Sequence, residues 1–234
     1  MNNCNSHVAV IIAAGLSSRM GEFKPLLDIG GKPALFRLLD TIRQVDSIMR
    51  VIVVTGHGYE SISAALREYD GAGEGHRVYT IYNKDYKEGM FSSVKAGIRA
   101  AGNNVLLFPA DVPLVAAGTI NGLIDAWERL YGSSPSVSAQ GDSSYGAARS
   151  ASAGPAPFAV PVFGGRNGHP LLIPRERFKE ILAFEGDGGL KAVRGRYDAD
   201  MIRYVTDDEG CVLDMDTPED YEKLKTAARA GLSG

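Results

Sequence analysis

Val8-Ala9-Val10-Ile11-Ile12-Ala13 runs directly into Ala14-Gly15-Leu16-Ser17-Ser18-Arg19-Met20-Gly21-Glu22-Phe23-Lys24-Pro25-Leu26-Leu27. The first six residues are apolar without alternation, and most are β-branched. A strand of that kind is covered on both faces, which is the condition of a central strand in a parallel sheet. The turn that follows is small and polar. In open α/β sheets such a turn, at the carboxyl end of a central strand, faces the ligand crevice.

The rest of the chain repeats this alternation. Pro33 opens a helical spacing of Leu35, Phe36, Leu38, Leu39, Ile42 and Val45, with proline where a first helical turn accepts it. Val51–Val54 is expected to form a second strand. Tyr59, Ile62, Leu66 and Tyr69 mark a second helix, and Val78–Tyr82 a third strand. Phe91–Ala101 is expected as a helix, Val105–Phe108 as a fourth strand, and Ile120 to Tyr131 as another helix with Ile120, Leu123, Ile124, Trp127 and Leu130 on one face. Strands alternating with helices imply right-handed βαβ units and a doubly wound, mostly parallel sheet of the Rossmann-like kind.

Gly132–Pro157 is dominated by Gly, Ser, Ala and Pro with few large apolar residues, and it is expected to be a flexible surface loop. Strand character resumes at Phe158–Phe163. A short helix is expected over Arg175–Phe184, short strands over Ile202–Val205 and Val212–Met215, and a last helix over Thr217–Ala228, capped by Thr217 with Pro218 in its first turn. The expected organisation is a single domain over 1–234, with an NTP-binding half (1–131), the loop (132–157) and a small acceptor-side half (158–234).

Bulk properties narrow the function. The 234 residues carry a formal net charge of -3, whereas a surface that tracks nucleic-acid phosphates needs a basic excess. Cys4 and Cys211 form no CxxC, and His7, His57, His76 and His169 show no i, i+4 pairing, so neither a disulfide framework nor a histidine metal site is expected. The apolar run at Val8–Ala14 is too short to span a membrane, and a cytoplasmic chain is expected. There is no GxxxxGK[ST] and no GxGxxG after the first strand, against P-loop and dinucleotide sites respectively.

Three segments carry candidate chemistry. Ala13, Ala14 and Gly15 allow close backbone approach to a polyphosphate, and Ser17, Arg19 and Lys24 add polar and cationic groups. Pro109-Ala110-Asp111-Val112-Pro113-Leu114 places an aspartate at a strand end, where a hard oxygen ligand suits Mg²⁺. By itself Asp111 is more readily a turn cap. Asp214-Met215-Asp216 alternates on an extended segment, which turns both carboxylates to one face. Taken alone, it is more readily a helix start rich in acids.

Together these segments resemble the MobA-like NTP transferases, and most of all their molybdenum cofactor cytidylyltransferase branch. The family pattern AAGxSxRMGxxKxLL is met by Ala13–Leu27. The resemblance continues through Asn83 to Ser93, Pro109–Leu114, Gly164-Gly165-Arg166-Asn167-Gly168-His169-Pro170, Gly186-Asp187-Gly188-Gly189 and Asp214–Asp220. It implies that Ala13, Ala14, Gly15, Ser17, Arg19, Lys24 and Ser92 meet the nucleotide, with Arg19, Lys24 and Asp111 catalytic. It implies further that Asp111 and Asp216 hold Mg²⁺, and that Gly168, His169 and Asp187 line an acceptor pocket. Ala-Ala-Gly, where guanylyl relatives tend to carry Ala-Gly-Gly, implies CTP. The implied acceptor is molybdopterin, the product passing to a molybdoenzyme. A sugar or alcohol phosphate is the alternative acceptor, and a non-catalytic cofactor chaperone the alternative class. For His169, a structural turn before proline is an equal reading.

Overall fold

The computed structural model of the chain describes residues 7–15, 23–70, 77–131 and 156–231. They form one eight-stranded sheet in the order β3-β2-β1-β4-β7-β5-β6, with β8 paired to β5. The strands are β1 (His7–Ala13), β2 (Ile48–Thr55), β3 (Arg77–Tyr82), β4 (Val105–Pro109), β5 (Ala159–Phe163), β6 (Arg166–Asn167), β7 (Leu171–Ile173) and β8 (Ile202–Val205). The helices are α1 (Ala34–Ile42), α2 (Tyr59–Asp70), α3 (Met90–Ala101), α4 (Ala117–Tyr131), α5 (Phe178–Ala183), α6 (Gly189–Gly195) and α7 (Pro218–Arg229).

Strand β1 is the centre of the parallel half, flanked by β2 and β4, with β3 outside β2. Its residues are divided by parity between two cores. Ala9, Ile11 and Ala13 pack with Leu35 and Leu38 of α1 and Ile120 and Leu123 of α4. Val8 and Val10 pack on the other face with Val94 and Ile98 of α3. Burial on both sides is why the run lacks polar alternation. Each fully buried Val, Leu or Ile among them contributes about 1.5–3 kcal/mol.

The other half is mixed. β7 runs antiparallel to β4 and β5, and β6 antiparallel to β5, while β8 is parallel to β5. Strands β6 and β7 and helix α6 are elements beyond those expected from the sequence pattern. The β5–β6 hairpin turns on Gly164 and Gly165, both at positive φ (55° and 78°), the requirement of a two-residue type I′ turn. The strand expected over Val212–Met215 is instead a 3₁₀ turn over Glu209–Val212 followed by an extended segment outside the sheet. Asp208 closes that turn by accepting from the Gly210 N–H at 2.9 Å. Its other carboxylate oxygen accepts from the Ala116 N–H at 2.8 Å, ahead of α4. Leu130, expected on the inner face of α4, is exposed.

Part of the stretch read as a loop is anchored. The Trp127 indole N–H donates to the Pro157 carbonyl at 2.9 Å, and the Arg177 Nε–H to that of Ala156 at 3.0 Å. Residues 132–155 lie outside the described residues, as does Cys4. No helix among the described residues is long and apolar enough to cross a membrane.

Candidate active site

The strand order reverses at β1, whose neighbours β2 and β4 were laid down on opposite sides. At such a switch point the loops after adjacent strands part and leave a crevice at their carboxyl ends. Here the crevice is a cleft of about 480 Å³. Its lining includes Ala13 at the end of β1 with Ala14 and Gly15 after it, Asp111 after β4, Tyr86, Lys87 and Gly89 ahead of α3, and Met90 and Ser93 from the start of α3. Lys24 and Asp216 close it from outside the sheet.

Lys24 sits in a 3₁₀ turn over Lys24–Leu26, which Pro25 anchors by burial. The Lys24 ammonium lies 2.8 Å from the Asp216 carboxylate and 3.8 Å from that of Asp111. Asp216 is brought there by its neighbour. Met215 is completely buried with Ile29, Ala34, Leu114 and Leu224, so the alternation of an extended segment turns Asp214 and Asp216 the other way. Leu114 in that same cluster lies three residues beyond Asp111. One small apolar core therefore fixes both carboxylates, although they are far apart in sequence. The segment is held from the other end by α7, whose capping box pairs Thr217 with Asp220.

The electrostatics favour a cation. Desolvation raises the pKa of Asp111, Lys24 lowers it, and Asp216 and Asp214 raise it again. Asp214 is raised first by burial and then by Asp216 and Asp220. Carboxylates crowded in this way, with the Lys24 ammonium beside Asp111 and Asp216, gather hard oxygen atoms of the kind a divalent ion prefers, although no group of three or more Asp, Glu, His or Cys among the described residues is arranged to hold one.

The opposite wall is packed tightly. Gly56, at the end of β2, touches Tyr86 so closely that a Cβ there would sit 2.5 Å from the Tyr86 Cβ. Glycine is what lets Tyr86 close on the cleft. Phe23 covers Gly58 and meets the His57 ring edge-on at 6.1 Å.

The other candidates separate. Ser17 and Arg19 lie outside the described residues. Ser93 lines the cleft, whereas the Ser92 hydroxyl is engaged by the Asp85 and Gly89 carbonyls at 2.8 and 2.9 Å. Gly168, His169 and Asp187 are not part of the cleft lining. Gly168 packs on the Cys211 backbone, and a Cβ there would be 2.6 Å from its carbonyl oxygen. His169 has a buried Nδ1 with no hydrogen-bond partner among the described residues, and burial, then Arg194, pushes its pKa down to about 4. Asp187 is exposed, ahead of the α6 start where Gly189 packs on Phe91. Cys211, buried, has its pKa pushed up to about 12 by desolvation and Asp208, and is inert as a thiolate. Asn83, Tyr86 and Lys87 lie in the Asn83–Ser93 stretch that carries the family resemblance, which implies no role for them. The left-handed Gly89 (φ 106°) before α3 was the available signal of a tight loop there.

Residues 9–201 match the MobA-like NTP transferase domain family. The chain is 24% identical over 217 residues to molybdenum cofactor cytidylyltransferase of Escherichia coli K12, covering 92% of this chain and 94% of that one. It is 35% identical over 121 residues to the bifunctional protein GlmU of Nitrosomonas eutropha, half of this chain but only 24% of that protein's length. Among solved structures, Rv0371c from Mycobacterium tuberculosis H37Rv superposes with a TM-score of 0.70 at 24% identity, covering 96% of this chain and all of the other. A manganese complex of Rv0371c superposes at 0.63 and 22% identity, with coverage of 96% and 100%.

Proposed function

The chain belongs to the MobA-like NTP transferase family, a family of nucleotidyltransferases, and from that premise we propose that it transfers CMP from CTP to molybdopterin, releasing pyrophosphate. The observation that carries the reading is the meeting of Lys24 with Asp111 and Asp216 at the mouth of the Ala13–Gly15 turn. The acceptor rests on likeness to the Escherichia coli enzyme along nearly the whole chain.

An acceptor phosphate oxygen attacks the α-phosphorus in line. The new P–O bond forms as the bond to the β-phosphate breaks, and pyrophosphate leaves with the electron pair. The acceptor phosphate is ionised at neutral pH, so no general base is needed. What must be overcome is the approach of two anions. The backbone of Ala13, Ala14 and Gly15 meets the nucleotide, and the Lys24 ammonium turns from its carboxylates to the triphosphate. By the family resemblance, Arg19 would add positive charge and Ser17 a hydroxyl for the triphosphate. Asp111 and Asp216 would hold Mg²⁺, which would supply charge neutralisation at the phosphates. Gly168, His169 and Asp187 belong to the acceptor side. We place the reaction in the cytoplasm, with a molybdoenzyme receiving the product.

A matrix of pyrophosphate release tests this. Each of CTP, GTP, ATP and UTP is paired with molybdopterin, a sugar 1-phosphate or choline phosphate, with and without Mg²⁺. Release from CTP only with molybdopterin and Mg²⁺ is expected. Release with a different acceptor alone would reassign the substrate, and release with none would leave a nucleotide-binding chaperone.

A further inference from the structure

Asn83 follows β3, is buried, and lies behind the wall of the cleft. Its Oδ1 accepts from the Asp85 N–H at 3.1 Å. Its Nδ2 donates to the Ser92 Oγ at 2.8 Å and to the Ser93 Oγ at 2.9 Å. A backbone N–H can be met only by the amide oxygen, so the Asp85 contact settles which way round the amide lies. Both amide hydrogens are then spent on the two serine oxygens, and each serine must direct its own single hydrogen elsewhere.

The two hydroxyls differ in where that hydrogen can go. Ser92 has the carbonyls of Asp85 and Gly89 within 2.9 Å. For Ser93 no acceptor is in place among the described residues, although its side chain is buried and lines the cleft. A hydroxyl with an oxygen already engaged and a hydrogen unspent is a donor waiting for a ligand.

We infer that Asn83 is a positioning residue that fixes the Ser93 hydroxyl as a hydrogen-bond donor into the cleft, where it meets an acceptor atom of the bound nucleotide. The same amide ties the Asp85–Gly89 loop to the start of α3, holding Tyr86 and Lys87 on the wall. The inference rests on the nucleotidyl-transfer reading of the cleft.

Asn83→Asp is the sharpest probe. It keeps the shape and the Asp85 contact, but replaces a two-hydrogen donor by an acceptor. Both serine hydroxyls then donate to the new carboxylate, and the cleft loses its donor. CTP binding with Mg²⁺, measured by calorimetry without acceptor, is compared in wild type, Ser93→Ala, Asn83→Asp and the double variant. Ser93→Ala in the wild-type background is expected to weaken CTP about tenfold, the scale of one hydrogen bond. In the Asn83→Asp background the same change is expected to alter affinity less than about twofold. Equal losses in both backgrounds would mean that added charge, not hydroxyl orientation, is responsible, and would overturn the inference. If Asn83→Asp does not melt cooperatively, Ser93→Ala decides alone, and undiminished CTP affinity overturns it. A wild-type chain that binds none of CTP, GTP, ATP and UTP would overturn the nucleotidyl-transfer reading itself, a different result from binding that ignores Asn83.

Discussion

Asp111 is a carboxylate held where a carboxylate is costly, its pKa raised first by burial and further by Asp216 and Asp214. Because protonation is favoured in the fold, its effect on stability worsens as pH rises from 3.8 through the raised value. Asp111→Asn removes that cost and keeps the shape. It should hold or raise the melting temperature at pH 7 while lowering turnover by about 10²–10³-fold, the scale of losing a group that stabilises developing charge. Turnover assays beside thermal melts check this, and a variant that keeps turnover excludes Asp111 from the chemistry. His169 works in the opposite sense. Its pKa is lowered from 6.5 to about 4, so between those values the unfolded chain binds a proton that the folded chain refuses. Stability should fall as pH drops through that window, and His169 should be without effect above it. Urea midpoints at pH 7 and pH 5 should therefore lie closer together in His169→Asn than in the wild type. An unchanged gap would mean that the imidazole is not held neutral by the fold.

The elements around the site are joined by the small core of Ile29, Ala34, Leu114, Met215 and Leu224. Thr217→Ala removes the α7 capping box and should cost about 1 kcal/mol. Met215→Ala empties a fully buried position and should cost about 2–5 kcal/mol. Since Met215 aims Asp216, its turnover should drop even at temperatures where the variant is fully folded. Denaturant titration paired with kcat separates the two effects, and a folded Met215→Ala with normal kcat would show that Asp216 is held by other means. The three inner strands of the parallel half were legible because each carries an unbroken and almost wholly buried apolar run, Val8–Ala13, Val51–Val54 and Val105–Phe108. Leu171–Ile173 is equally buried but only three residues long, and its antiparallel pairing with β4 depends on contacts too distant in sequence for any local pattern to express. Val212–Met215 was misread because its apolar residues pack without a ladder, the Gly210 turn having taken the chain out of the sheet. The alternation of Asp214 and Asp216 about Met215 was readable, since it is a local property of extended chain. That Ser93 and not Ser92 lines the cleft was not, because adjacent helical residues differ by about 100° in direction and the start of α3 is set by Gly89.

For the molecule as a whole, the cleft joins loops from both ends of the sequence, and anything that binds it must hold those loops together. A ligand that binds only the folded state at about 100 times its Kd adds about 2.7 kcal/mol to stability. At this chain length one kcal/mol moves the melting temperature by roughly 2–4 °C. CTP with Mg²⁺ should therefore raise the melting temperature by about 5–10 °C without any acceptor. A chelator should remove most of that rise, because triphosphate charge would then face Asp111 and Asp216 with only the cationic side chains to offset it. In Lys24→Met the rise should shrink even with Mg²⁺ present, since the neutral side chain leaves both carboxylates and the triphosphate short of one positive charge. A shift that is the same with and without metal would place the nucleotide phosphates away from the Asp111–Asp216 pair, and the cleft would then bind nucleotide without being arranged to transfer it.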